Sequence, residues 1–202
     1  MEDFVKTAWG MNGYRYPLIT GSDYYCVPTC LEMIVKSMGY QISGRQLASY
    51  FHIVTDEESV DDNDLGVHIV NGELDKLFAD LYIPISEQYI PISQIAEFEF
   101  TDIIAKHLSE QAHIICGYSY GLLFREQLLE NIGHVSIILS TEEESIKILN
   151  PGPKNAGVNL VREDDLYQSI RRKRDGLWIL KKNNNSAVVI PAKHNGNSCI
   201  SG

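Results

Sequence analysis

The run Tyr25-Cys26-Val27-Pro28-Thr29-Cys30-Leu31-Glu32-Met33-Ile34-Val35-Lys36-Ser37-Met38-Gly39 constrains the fold of this chain more than any other segment. Proline suits the first helical position, where its missing N–H is not needed, and glycine suits the left-handed residue that closes a helix. The spacing therefore predicts a helix from Pro28 to Gly39. Cys30, Ile34 and Met38 fall four apart with Leu31 between them, which gives one apolar face to bury. Cys26 stands just before the first turn of that helix.

Three more helices are expected before the pattern changes. Ser43 and Gln46 have capping-box spacing and open a helix with Leu47, Tyr50 and Phe51 inside. A third starts near Asn71 and buries Leu74, Leu77 and Phe78, and a fourth occupies 100–111. Residues 54–66 are acid-rich and read as an exposed loop, and residues 1–25 read as irregular and aromatic-rich. Strands follow at His113–Tyr118, Val135–Ser140 and Ile146–Leu149, with Glu142-Glu143-Glu144 as the turn of a hairpin. Asn150-Pro151-Gly152-Pro153 breaks the returning strand. A short helix at about 163–171 and a strand over Gly176–Leu180 complete one domain, 1–181. The polar residues 182–202, with Cys199 among them, read as a poorly ordered tail. Helices first and an antiparallel sheet later give an α+β fold of two layers, N-terminal helices packed on a C-terminal sheet.

Composition narrows the function. Seventeen Lys and Arg against 27 Asp and Glu leave a formal charge of −10, which repels phosphate backbones and anionic lipid. Nucleic-acid binding is not expected, and no apolar run approaches the ~20 residues needed to cross a bilayer, so membrane insertion is not expected either. The acidic N-terminus lacks the features of a signal peptide, and a cytoplasmic location is expected, with non-classical export left open. Cysteines 26, 30, 116 and 199 suggest reduced thiols used for packing or catalysis. The Asp61-Asp62-Asn63-Asp64 run lacks the closing glutamate of a calcium loop, and no Cys/His pairs have zinc spacing. No metal and no cofactor is expected.

One constellation carries chemistry. A thiol attacks carbonyl carbon as thiolate, and the N–H groups and dipole of a helix start favour that form, which suits Cys26. His134 follows Gly133 at the start of one strand of the hairpin, and Asn150 ends the other. In an antiparallel pair those ends are neighbours, so an amide at 150 can hold the imidazole in the tautomer that takes a thiol proton. Any one of these residues alone reads more readily as packing. Together they read as nucleophile, base and orienting amide.

The same residues resemble a family. Tyr25 to Ile34 is similar to the nucleophile helix of the C39 and C39-like cysteine peptidases, where Cys-Gly-Pro-Ala-Cys-Leu-x-Met is usual. Gly133-His134-Val135 resembles the family's histidine strand, Ile148-Leu149-Asn150-Pro151 its Asp-Pro segment, and Asp64-Leu65-Gly66-Val67 a short glycine loop before the middle helix. The resemblance spans about residues 20–180 and implies a papain-like fold and a cysteine hydrolase acting on peptide or protein substrates through an acyl-enzyme. Such enzymes commonly cut after Gly-Gly in bacteriocin leaders, or act on cell-wall and peptide substrates. The chain departs from the pattern in two places. Val27 replaces the glycine after the nucleophile, and Thr20 stands where the family carries the glutamine that stabilises the oxyanion. Thr20, Ser22 and Tyr24 are the candidates to replace that donor. The alternative is a papain-like scaffold, weak or inactive as a catalyst, that binds peptide or protein.

Overall fold

The structure is a computed structural model that describes residues 6–55, 66–129 and 132–183. The Asp61 run, most of the acid-rich segment, Cys199 and the polar tail beyond 183 lie outside the described residues.

The helix predicted from the Cys26 segment is α1, Cys26–Ser37, and it begins at Cys26 itself, so that Pro28 sits third rather than first. Proline is tolerated there because the opening N–H groups of a helix have no intrahelical partner. Gly39 adopts the left-handed conformation at φ 93 and ends the run. Leu31, Met33, Ile34 and Val35 are fully buried, and each contributes roughly 1.5–3 kcal/mol by leaving water. The Ser43–Gln46 capping box opens α2, Gly44–Ala48, with both reciprocal bonds formed. Helix α3, Glu73–Asp80, opens on Gly72, which has no side chain to cap it. The Glu87 carboxylate supplies the cap instead, accepting the N–H groups of Gly72 and Leu74 at 3.0 Å each.

Six strands form one antiparallel sheet in the order β3-β8-β4-β5-β6-β7: β3 Ile85–Pro91, β4 His113–Ser119, β5 Gly133–Glu142, β6 Ser145–Asn150, β7 Gly157–Arg162 and β8 Gly176–Lys182. Helices α4 (Phe100–Ser109), α5 (Tyr120–Phe124) and α6 (Glu163–Lys173) complete the elements used here. The expected two layers are three. One face of the sheet (Ile115, Val135, Ile137, Leu149, Trp178) joins the core of α1, α2 and α3. The other (Ile114, Cys116, Ile138, Ile148, Ile179) is covered by α4 and α6. Strand β4 is buried along its whole length, and a strand that is apolar on both sides must be covered on both.

Residues 7–17, expected to be irregular, form a hairpin of β1 (Thr7–Trp9) and β2 (Arg15–Pro17). Its register depends on contacts about a hundred residues away in sequence. Asn12 Nδ2 donates to Tyr16 Oη at 2.7 Å and to the Ala112 carbonyl at 2.8 Å, and Tyr16 Oη lies 2.7 Å from His113 Nδ1. Strands β3 and β7 and helix α5 have no counterpart in the sequence reading. Edge strand β7 exposes Val158 and Leu160, so its pattern does not resemble a half-buried strand.

Burial pushes the His113 imidazole down to about 3, below the ordinary 6.5, so the unfolded chain takes up the proton first. Stability is then complete above pH 6.5 and is lost as pH falls towards 3, by about 2–3 kcal/mol from this residue at about pH 4.5. Urea unfolding at pH 7 and 4.5 measures the loss. His113→Gln cannot titrate, and it should lose correspondingly less stability on acidification than the parent chain.

Candidate active site

Cys26 opens α1 because Tyr24 turns the chain. Tyr24 holds a left-handed conformation (φ 66), a rare state for a bulky residue that costs of order 1–3 kcal/mol. Thr29 N–H bonds back to the Tyr25 carbonyl at 2.9 Å, so the N–H groups of Cys26 and Val27 have no helical partner. Burial pushes the Cys26 thiol above its ordinary value, while backbone groups of Val135, Val27 and Cys26 itself pull it back. The expected helix-start activation is therefore present but outweighed by desolvation in the free protein. Cys30 and Cys116, which are buried, are also held up by desolvation, Cys116 to about 12.

His134 Nε2 lies 2.9 Å from Asn150 Oδ1. The sheet explains the meeting. Ile137 pairs with Leu149, so Asn150 comes opposite residue 136 and projects to the same face as His134. Asn150 is fully buried. Its Oδ1 also accepts Gly152 N–H at 2.8 Å and its Nδ2 donates to the Lys154 carbonyl at 3.1 Å. Those two bonds fix which amide atom is which, so Oδ1 faces the ring and His134 Nε2 carries the proton. The Nδ1 lone pair is then the basic atom. The rings of Tyr118 and Tyr120 stand edge-on to His134 at 5.7 and 5.3 Å. Burial lowers the His134 imidazole to about 4, against the upward pull of Asn150. Both Cys26 and His134 are therefore neutral at pH 7.

Cys26 and His134 together line two hollows. The wider one, of about 410 Å³, includes Ser22, Tyr24, Tyr120, Ile132 and Pro153. The narrower, of about 170 Å³, includes His68, Tyr89, Asp175 and Trp178. Of the three oxyanion candidates, Ser22 and Tyr24 line the wider hollow with Cys26. Thr20 does not line it: its Cγ2 packs where a Cβ at Gly152 would lie, 2.9 Å away. Asp175 and its aromatic neighbours were missed in the sequence, because nothing local marks a residue between α6 and β8 as lining a hollow with position 26. Glycines 117 and 133 inside strands were a usable signal, since a Cβ at either would strike Asp175 or Lys173.

No family sequence model and no curated protein matches the chain. Solved structures do. A candidate C39-like peptidase from Bacillus anthracis superposes with a TM-score of 0.59 at 13% identity, over 88% of this chain and 98% of that one. The peptidase domain of Streptococcus ComA, a bifunctional ABC transporter of a quorum-sensing pathway, gives 0.55 at 16% identity, over 83% and 98%. The chain has the papain-like fold of these C39 peptidase domains. Among the described residues no three His, Cys, Asp or Glu side chains gather as a metal site, and no helix is long and apolar enough to cross a membrane.

Removing the Asn150 amide should unfasten both the loop and the histidine. Asn150→Ala leaves Gly152 N–H and the Lys154 carbonyl without their partner, and urea unfolding should show a loss of about 1–3 kcal/mol. Asn150→Asp keeps the acceptors and adds a charge beside the ring, so an NMR titration should find the His134 imidazole above its value in the parent chain.

Proposed function

We propose that the protein is a cysteine hydrolase of peptide or related amide bonds, with Cys26 as nucleophile, His134 as base and Asn150 as the group that orients the base. The observation that carries this is the fixed Asn150 amide, which leaves His134 Nδ1 as the basic nitrogen of a residue that lines the same hollow as Cys26. In the first step the sulfur attacks the carbonyl carbon while its proton passes to Nδ1. His134 returns that proton to the leaving amine, and a thioester joins the acyl group to Cys26. Water, deprotonated by the same nitrogen, releases the acid, and an amine in place of water would give acyl transfer. The oxyanion is served by the Cys26 N–H at the helix start, with the Ser22 or Tyr24 hydroxyl in place of the family's glutamine.

The pair starts neutral, because desolvation disfavours both thiolate and imidazolium. Proton transfer thus accompanies attack and does not precede it. The second reading, a papain-like scaffold that binds peptide without turnover, draws on that neutrality and on Val27 and Thr20.

Alkylation of Cys26 by iodoacetamide, followed by peptide mapping, separates the two. A working base gives a rate that falls on acidification with a midpoint near 4, where His134 takes up a proton, and stays level through neutrality. It rises again only as the thiol ionises. His134→Ala should abolish the level region by about 10²–10⁴-fold and leave the alkaline rise. If the parent chain shows only the alkaline rise, at rates like those of Cys30 and Cys116, the hydrolase reading fails.

A further inference from the structure

The wider hollow beside Cys26 contains a hydroxyl that the chemistry above does not use. Tyr120, Leu129, Ile132 and Pro153 line it with Cys26 and His134, so its wall is largely apolar and its few polar groups decide how a guest lies. Tyr120 Oη accepts the Asn155 Nδ2–H at 2.8 Å. A phenol has one proton to donate, and that bond leaves it uncommitted. Among the described residues no acceptor for it stands within hydrogen-bond distance. Glu126 acts on the hydroxyl through charge, and its own carboxylate binds Lys154 at 3.3 Å. Burial, with that charge, pushes the phenol above its ordinary value, so the proton is present at neutral pH.

Tyr118 marks the contrast. Its ring also stands edge-on to His134, but its hydroxyl is fully buried, shares a bond of 2.8 Å with Ser136 Oγ, and lines neither hollow. Tyr120 is held in place and lines the cleft. Its N–H bonds to the Ile132 carbonyl at 2.9 Å, and its ring packs on His134 with centroids 5.3 Å apart. Its hydroxyl is tied to Asn155, which holds a left-handed conformation at φ 51. A donor fixed in this way needs little ordering when a substrate arrives. At about 410 Å³ the hollow falls within the ~300–1,000 Å³ of ligand sites, and every peptide brings carbonyl acceptors to it.

We propose that Tyr120 is a substrate-binding residue whose hydroxyl donates a hydrogen bond to a peptide carbonyl oxygen beside the bond presented to Cys26. This rests on the reading of Cys26 as the reacting atom. Asn155 acts through Tyr120: its Nδ2–H occupies a lone pair of Oη and cannot accept the phenolic proton, which is thereby kept for the guest. The contact recognises the amide backbone of a substrate, whatever its side chains.

Two alkylating reagents with the same leaving group test the donor without a known substrate. Bromoacetyl-glycinamide carries carbonyls next to the reacting carbon and further along, and allyl bromide carries no carbonyl. Cys26 labelling is followed by peptide mapping, and each rate is divided by that of free 2-mercaptoethanol. Tyr120→Phe keeps the ring on His134 and removes the hydroxyl. It should slow the amide reagent by about three- to tenfold and change the allyl rate by less than about twofold. Asn155→Asp puts an acceptor where the donor was, which claims the phenolic proton, and it should slow the amide reagent selectively in the same way. Slowing of both reagents alike, or an unchanged amide rate, in either folded variant overturns the proposal. Should one variant not fold, the other decides. The selective effect of Tyr120→Phe should persist in a His134→Ala background, so a failed hydrolase reading and a failed carbonyl contact give different results.

Discussion

Asn150 has no exposed surface, and its side-chain amide makes three hydrogen bonds: Oδ1 to the Gly152 N–H and the His134 ring, Nδ2 to the Lys154 carbonyl. A buried amide with its polar atoms committed in this way cannot rotate without leaving at least one group unsatisfied. The turn after β6, the proton position on His134 and the start of β5 are thereby tied to one residue. Gly21 N–H bonds to the Pro151 carbonyl at 2.8 Å, which brings the segment leading to Cys26 against the same turn.

Cys26 owes its place to a different device, a helix that starts where the chain leaves a strained Tyr24. The two devices meet because α1 packs on the β5 side of the sheet, with Cys30 Sγ 3.9 Å from the Val135 carbonyl. Burial that makes this packing favourable also desolvates the thiol and the imidazole. The same force that assembles the pair therefore keeps it uncharged. That trade-off leaves both side chains neutral in the free protein.

The cleft is uneven on the two sides of Cys26. The larger hollow is lined by Tyr120, Ile132 and Pro153, and the smaller by Lys173, Asp175 and Trp178. Two strand glycines, Gly117 and Gly133, make room for Asp175 and Lys173 at the narrow end. Their placement shows how a sheet interior can be shaped by absent side chains.

Local signals were legible in the sequence. The Cys30–Ile34–Met38 spacing, the Ser43–Gln46 box and the Leu74–Leu77–Phe78 face each depend on residues within a turn or two of one another, and each appears as a helix. The start of α1 was misplaced by two residues because Tyr24, not Pro28, sets it. Strand β3 was not legible because Glu87 in its middle serves as the cap of α3, and β7 was not because its exposed side is apolar. The hairpin of residues 7–17 depends on Ala112 and His113, which no local window contains. The sequence by itself determined the helix that carries Cys26 and the order of elements that suggested His134 and Asn150 as its companions. Only the tertiary structure decided the third layer, the tautomer of His134, the neutrality of the pair and the presence of Asp175. Each of those depends on burial and on contacts between residues far apart in the chain, and neither quantity is carried by any residue alone.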